Sequence, residues 1–331
     1  MKNFVHFIGI DVSKLTIDVA CIFNGQLILS LQVPNNTTGI NRLIKKLKLI
    51  PEFSLSTSLF CMENTGLYSL KTTMLLYEGK AEYVWIESPI QIIYSQGKLR
   101  GKSDMLDAKR IATYAEKFST KAKFSDPVPI LIKIKALMNL RTIILSTIHM
   151  FKVNKMEYEQ IAGFFDLKGR ASLITKGIKS LEKCILQVEI LLDQAINEEN
   201  KVVKNYNLIK SVPGVGKVTA IEVIIATGNF TQITDPRKFA CYSGVVPFEH
   251  SSGTSINTRP KVSNQANKIV KKTLHMAAMS AIQIKGELRD YYQRRVTEGK
   301  NKMSVLNAVR NKLIHRMFAC VIQDRKYLPI L

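Results

Sequence analysis

Four carboxylates stand out by their positions in the sequence. Asp11 closes the apolar run Phe-Ile-Gly-Ile-Asp, and Glu63 closes Leu-Phe-Cys-Met-Glu. An acid at the end of a buried strand needs a cation or hydrogen bonds to offset its desolvation. Asp104 and Asp107 are three residues apart at the start of a helical pattern, so both project from one helix face. Carboxylate oxygens are the ligands that hard divalent cations take. Two such ions about 4 Å apart flank both oxygens of an in-line phosphodiester displacement. Each acid alone also has a plain structural reading: Asp104 and Asp107 suit a helix first turn capped by Ser103, and Asp11 and Glu63 could pair with lysines. As an ordered set on one alternating sheet they point to metal-assisted chemistry.

The elements that must position these acids follow from periodicity. Phe4 to Phe23 reads as extended and apolar, and Asn24-Gly25 is a hairpin turn into Gln26 to Val33. A helix over about 39–50 follows, then a strand from Ser58 to Glu63, a helix from Leu67 to Leu76, a strand from Ala81 to Glu87, and a helix from about Lys102 to Phe118. A hairpin followed by alternating helices and strands implies a mixed sheet covered by helices. From Pro129 the pattern becomes helical, through Ile134, Leu137, Leu140, Ile144, Ile148 and Phe151. A second run, Ile174, Ile178, Leu181, Ile185, Val188 and Leu192, keeps heptad spacing. Two long helices joined near Gly163 to Gly169 are expected, either as an internal hairpin or as an oligomerisation arm.

The chain has 331 residues, which on length alone suits two domains. It is 46% hydrophobic, enough for a core, and its formal net charge is +22. That excess favours a polyanionic partner, nucleic acid before membrane. Residues 206–331 hold 20 basic and 7 acidic side chains, so the electrostatic contact is expected there. Five widely spaced cysteines without a CxxC pair suggest neither a disulfide framework nor a zinc site, and fit a reducing cytoplasm. The N-terminal apolar stretch is too short for a signal peptide, and no apolar run has the length of a membrane span.

The last third opens with Leu208 to Ala220, whose Val-Pro-Gly-Val-Gly turn between two helical segments resembles a helix-hairpin-helix. Gly214, Gly216 and Lys217 would then face a phosphate, although two glycines in an ordinary helix connection remain the alternative. A P-loop is excluded, because Val218 follows Lys217 where Ser or Thr is needed. Lys268, Lys271, Lys272 and His275 recur on one helix face after Ser263, with Arg259 and Lys261 just before. Arg294 and Arg295 close a segment with two tyrosines, a combination that can stack bases and bind phosphates. The final helix reads as core along Leu306, Val309, Leu313 and Met317, with Arg310, Lys312 and Arg316 outside.

Taken in order, Gly9-Ile-Asp11-Val-Ser-Lys14, Glu63-Asn-Thr-Gly66, Lys102-Ser-Asp104, Asp107-Ala-Lys109, Val212-Pro-Gly-Val-Gly216, Gly244-Val-Val-Pro247 and Ser252-Gly253 resemble the DEDD transposases of prokaryotic insertion sequences and the related Piv invertases. The resemblance implies an α/β RNase H-like (RuvC-type) domain over 1–125, a helical coiled-coil arm over 129–205 and a mainly α transposase domain over 206–331. It assigns Mg²⁺ to Asp11, Glu63, Asp104 and Asp107, and a nucleophilic serine to Ser252, with Ser251 as the alternative register. Ser243, before the Gly-Val-Val-Pro segment, is disfavoured. The family further implies donor and target DNA, a structured guide ("bridge") RNA in some members, a homo-oligomer with a composite centre, and a prokaryotic cytoplasm. The competing functions are a metal-dependent endonuclease of the junction-resolving type, which needs no serine, and a non-catalytic nucleic-acid-binding protein.

Overall fold

The computed structural model describes residues 3–95, 104–124, 129–161, 164, 169–252, 256–262 and 266–328, with the side chains of 67, 248–252 and 256–261 left aside. Ser103, Gly163, Gly253 and Ser263 lie outside the described residues. The chain divides into two compact units, Met1–Pro127 and Val128–Leu331.

The first unit is a five-stranded mixed sheet. Its elements are β1 (His6–Val12), β2 (Thr16–Phe23), β3 (Gln26–Pro34), α1 (Thr37–Leu47), β4 (Ser58–Glu63), α2 (Leu67–Glu78), β5 (Val84–Glu87), α3 (Pro89–Tyr94) and α4 (Asp104–Phe118). The strand order is β3-β2-β1-β4-β5. The first three strands run antiparallel, while β4 and β5 join β1 in parallel sense. The single extended stretch expected over Phe4–Phe23 is two strands. The chain reverses after Val12, where the Ser13 amide donates to Thr16 at 3.0 Å. The expected Asn24-Gly25 turn is present, both residues at positive φ (49° and 76°). The short helix α3, which the pattern did not foretell, starts with Pro89 in its first turn.

Alternation along each strand sends two sets of side chains to opposite faces. Ile8, Ile10, Ile17, Val19, Phe60 and Met62 pack with Ile40, Leu43 and Leu47 of α1 on one face. On the other face the side chains leave a flat patch where β1 meets β2: Gly9 is paired with Ala20, and Ala108 and Ala112 of α4 lie against them. A methyl group added at Gly9 would collide with the carbonyl oxygen of Ala108 and the amide of Ala112. The helix therefore rests backbone to backbone on β1. Its far end is fixed by Tyr114, whose ring lies 5.1 Å from that of Trp85, and by Glu116, which accepts from the Gly25 amide at 2.9 Å.

The second unit comprises α5 (Pro129–Ile161), α6 (Arg170–Asn197), α7 (Asn200–Lys210), α8 (Lys217–Thr227), α9 (Pro236–Tyr242), the hairpin β6 (Phe248–Ser252) and β7 (Ile256–Lys261), α10 (Lys268–Ala281), α11 (Glu287–Thr297) and α12 (Lys302–Ile322). The two long helices run antiparallel, as the ion pairs Arg141–Glu189 (2.5 Å) and Lys152–Glu182 (3.7 Å) and the pair Lys133–Glu198 require. The seam of α5 runs through Ile134, Met138, Ile144 and Ile148, and Leu140 is 44% exposed. The expected seam put Leu140 inside; the helical period instead brings Met138 and Arg141 to that face. One continuous apolar cluster joins α5 and α6 to the later helices, including Phe239 and Phe318, whose rings are 5.4 Å apart.

Gly9→Ala is expected to lower unfolding stability by about 1–3 kcal/mol, the usual cost of overpacking a tight site. Urea unfolding of the full chain measures this, and a variant as stable as the parent would show that α4 does not need the flat patch.

Candidate active site

Asp11 shares its strand face with Gly9, two residues earlier, so it emerges beside α4 at the end of the flat patch. The register then lines up further acids. Asp11 is paired with Asp18 of β2, and Glu63 with Glu87 of β5. The β1/β4 pairing runs through Gly9–Cys61 and Ile10–Met62, so the next step sets Glu63 beside Asp11. Four neighbouring strands thus each offer a carboxylate at the same level. The first turn of α4 adds Asp104, which is exposed, and Asp107, which is half-buried.

These groups feel one another. Burial pushes the Asp11 carboxyl above its usual range, and Asp104, Asp107 and Asp18 push it further. Burial likewise raises Glu63, with Asp11 and Asp107 adding to the effect. Part of the acidity is already answered within the fold. Asp107 pairs with Arg110 at 2.6 Å. Asp18, only 4% exposed, accepts from Gln32 Nε2 at 3.1 Å through both oxygens. Glu87 accepts from the Ser88 amide at 2.7 Å and from the Tyr114 hydroxyl at 3.4 Å. Asp18 and Glu87 were absent from the sequence reading. The signal for Asp18 was the same as for Asp11, a lone acid in an apolar strand, but the unseen turn after Val12 hid its pairing.

The donor set is all oxygen and strongly negative, which suits a hard divalent cation. Among the described residues no three carboxylate, imidazole or thiol groups are already drawn close enough to hold one ion. The unrelieved repulsion at Asp11 and Glu63 is the feature that a cation would remove.

The second unit carries the other expected residues. Gly214 has φ +87°, and a Cβ there would press on Ala281 and the Ala277 carbonyl of α10, so this glycine serves the packing of the turn. Gly216 has open space around its Cα and precedes α8 without a side-chain cap. Lys217 is held by Glu189 at 2.8 Å and Asp193 at 2.7 Å, so its ammonium ties α8 to α6. Ser251 and Ser252 are the last two residues of β6, paired with Asn257 and Ile256 of β7. Ser243 is buried and its hydroxyl donates to Ala240 at 3.2 Å. Arg259 and Lys261 lie on β7. Lys268 and Lys272 are exposed on α10, and Lys271 is half-buried. Arg295 and Arg294 both turn to Glu298, at 2.6 and 3.9 Å. Tyr291 and Tyr292 pack against the core, with Lys312 4.7 Å above the Tyr291 ring. Two placements differ from the sequence expectation: Lys217 faces Glu189 and Asp193 rather than a phosphate, and Arg310, expected outside, is buried at 6% exposure.

Comparison with known proteins gives this arrangement its context. A family profile for DEDD transposases of the IS110 type matches residues 8–153, and that of the Transposase IS116/IS110/IS902 family matches residues 206–293. The chain belongs to the IS110-type DEDD transposase family. It is accordingly an enzyme of DNA transposition or recombination, built from a mixed α/β domain of DEDD nuclease type and a mainly helical region. The pilin gene-inverting protein of Moraxella bovis is 25% identical over 326 residues, covering 97% of each chain. The transposase for insertion sequence element IS1111A of Coxiella burnetii is 30% identical over 174 residues, which is 46% of this chain and 47% of that protein. No described helix of this transposase is long and apolar enough to cross a membrane.

The raised carboxyls fix a pH dependence. A folded-state pKa above the unfolded value destabilises the fold once the group must ionise. The destabilisation is absent below the ordinary carboxylate range of about 4. It grows as pH climbs through the raised folded values of Asp11 and Glu63. In metal-free buffer Asp11→Asn should therefore raise the melting temperature at pH 7 and lose that advantage below about pH 4. An unchanged or lowered melting temperature at pH 7 would mean that the repulsion is already neutralised.

Proposed function

We propose that this transposase cuts and rejoins DNA with two sets of groups, the carboxylates of the first unit and a serine of the second. Asp11, Glu63, Asp104 and Asp107 would hold Mg²⁺ on an RNase H-like (RuvC-type) sheet. The observation that carries this is the strand register that sets Asp11 beside Glu63 at the ends of two neighbouring strands, where Asp107 of α4 adds to the repulsion on both and Asp104 to that on Asp11. When bound, the ion supplies Lewis-acid stabilisation of the charge that builds on a phosphodiester oxygen.

Ser252 is the nucleophile, with Ser251 as the alternative register. Both lie at the end of β6 next to the hairpin tip, inside the stretch that matches the transposase family. In the reaction the serine oxygen bonds to phosphorus, its proton passes to a base, and the bond from phosphorus to one deoxyribose oxygen breaks. That oxygen leaves as a hydroxyl after taking up a proton. The phosphoserine link preserves the phosphodiester energy, and the reverse attack by a second DNA hydroxyl completes the exchange.

The partners are donor and target DNA and a structured guide RNA. Support comes from the basic excess of residues 206–331 and from the exposed Lys268 and Lys272. The turn between α7 and α8 is read as a helix-hairpin-helix element, with Gly214 and Gly216 placing the α8 amides near a phosphate. Self-association through the coiled-coil pair is supported by Ile143, Met150 and Met156 of α5 and Leu186 and Ile190 of α6, all 57–65% exposed.

The test is a covalent-adduct assay with the protein expressed together with its native flanking DNA, donor and target duplexes, and Mg²⁺. A protein–DNA band on a denaturing gel is expected, lost in Ser252→Ala and reduced at least 100-fold in Asp11→Ala, the order that removal of a catalytic electrostatic group produces. Loss in Ser251→Ala instead shifts the nucleophile by one residue. Nicked DNA without an adduct, surviving both serine variants, would replace this mechanism with hydrolysis by the carboxylates alone.

A further inference from the structure

Arg310 is a buried cation without a carboxylate. It sits on the core face of α12, yet among the described residues it forms no ion pair. One terminal nitrogen donates to Asn307 Oδ1 at 3.4 Å, the other lies 2.9 Å from His275 Nδ1, and Nε is buried without a partner. Keeping a desolvated guanidinium in this state is costly, so its position demands a reason.

A guanidinium can only donate hydrogen bonds. His275 Nδ1 must then accept, which leaves the imidazole neutral with its proton on Nε2. Burial and the Arg310 charge both hold the His275 pKa below its usual value, in agreement with this form. Among the described residues His275 Nε2 has no hydrogen-bond partner, and the His275 side chain is only half-buried. It lies on the α10 face that carries Lys268, Lys271 and Lys272 one or two turns earlier.

The pair is also tied to the serine hairpin. Asn307, one turn before Arg310, donates from Nδ2 to the Val245 carbonyl at 2.6 Å, three residues before β6 begins. Asn267, the cap of α10, donates its amide to the Tyr242 carbonyl at 2.9 Å and its side chain to the Tyr242 hydroxyl at 2.8 Å. A continuous chain, Val245–Asn307–Arg310–His275, therefore connects the root of the hairpin to a donor on the basic face.

We propose that His275 contacts a nucleic-acid phosphate in the second unit, and that Arg310 is the positioning residue that fixes its proton on Nε2 and registers it to the hairpin. The ligand is a phosphodiester oxygen, because the half-buried donor has a buried cation behind it and lysines beside it. This rests on the reading that the second unit handles DNA phosphates, but it does not require the serine to be the nucleophile.

The experiment uses the full chain labelled with ¹⁵N-histidine. Two-bond NMR spectra at neutral pH should show His275 protonated on Nε2 and deprotonated on Nδ1. Addition of a mixed-sequence duplex oligonucleotide should shift Nε2. Affinity for the same duplex at fixed salt should fall about 10-fold in His275→Ala, as for loss of a hydrogen bond to a charged group. It should recover to within about 3-fold of the parent in His275→Gln, whose amide can still donate. Arg310→Met should cost as much as His275→Ala and release the tautomer. Should that variant fail to fold, the Ala and Gln pair at the partly exposed His275 decides the question. Binding within twofold of the parent in His275→Ala, an imidazolium or Nδ1-protonated ring, or a DNA-insensitive Nε2 would each overturn the proposal. A shifted Nε2 in a protein that forms no covalent adduct would instead remove the serine mechanism and leave this contact standing.

Discussion

The candidate site depends on one close approach, the seating of α4 on β1 at Gly9. Backbone meets backbone there because Gly9, Ala20, Ala108 and Ala112 present nothing larger than a methyl group. The contact sets where the first turn of α4 lies, and with it Asp104 and Asp107 beside Asp11. Strand register then adds Asp18, Glu63 and Glu87 in a row. Small residues that look incidental in the sequence thus determine a concentration of negative charge. The core opposite, built from Ile8, Ile10, Phe60 and Met62 against α1, supplies apolar burial that offsets the repulsion at this end of the sheet.

The second unit solves the converse problem, an excess of positive charge. Some cations are spent inside the fold: Arg141 and Lys217 converge on Glu189, and Lys217 also takes Asp193. This network links α5, α6 and the start of α8 into one body. Arg316 is similarly paired with Glu287. Lys268 and Lys272 remain exposed on α10, where a polyanion can reach them. Arg310 belongs to neither group, being buried yet paired with no carboxylate among the described residues.

Much of this was legible in the sequence because its signals are local. The strand Ser58–Glu63 and the two long helices appear where alternation and heptad spacing place them, and Asp11 and Glu63 stood out as acids ending apolar runs. What stayed hidden depends on pairing across the fold. The turn after Val12 lies within an apolar stretch and carries no glycine or proline to mark it. Without it, Asp18 could not be seen opposite Asp11. Leu140 and Arg310 were misplaced because an apolar stripe defines a helix face only to within about one residue either way. For Lys217, the turn beside it suggested a phosphate, whereas its carboxylate partners lie 28 and 24 residues away in sequence on α6.

The most direct test is Mn²⁺ binding to the full-length protein, followed by electron paramagnetic resonance of the free ion in the parent and in Asp11→Asn, Glu63→Gln and Asp107→Asn. If the row of acids is a cation site, each substitution should weaken binding by at least 10-fold while the variants stay folded. Parent-like binding in Glu63→Gln and Asp11→Asn together would show that the acids share one end of the sheet without sharing an ion.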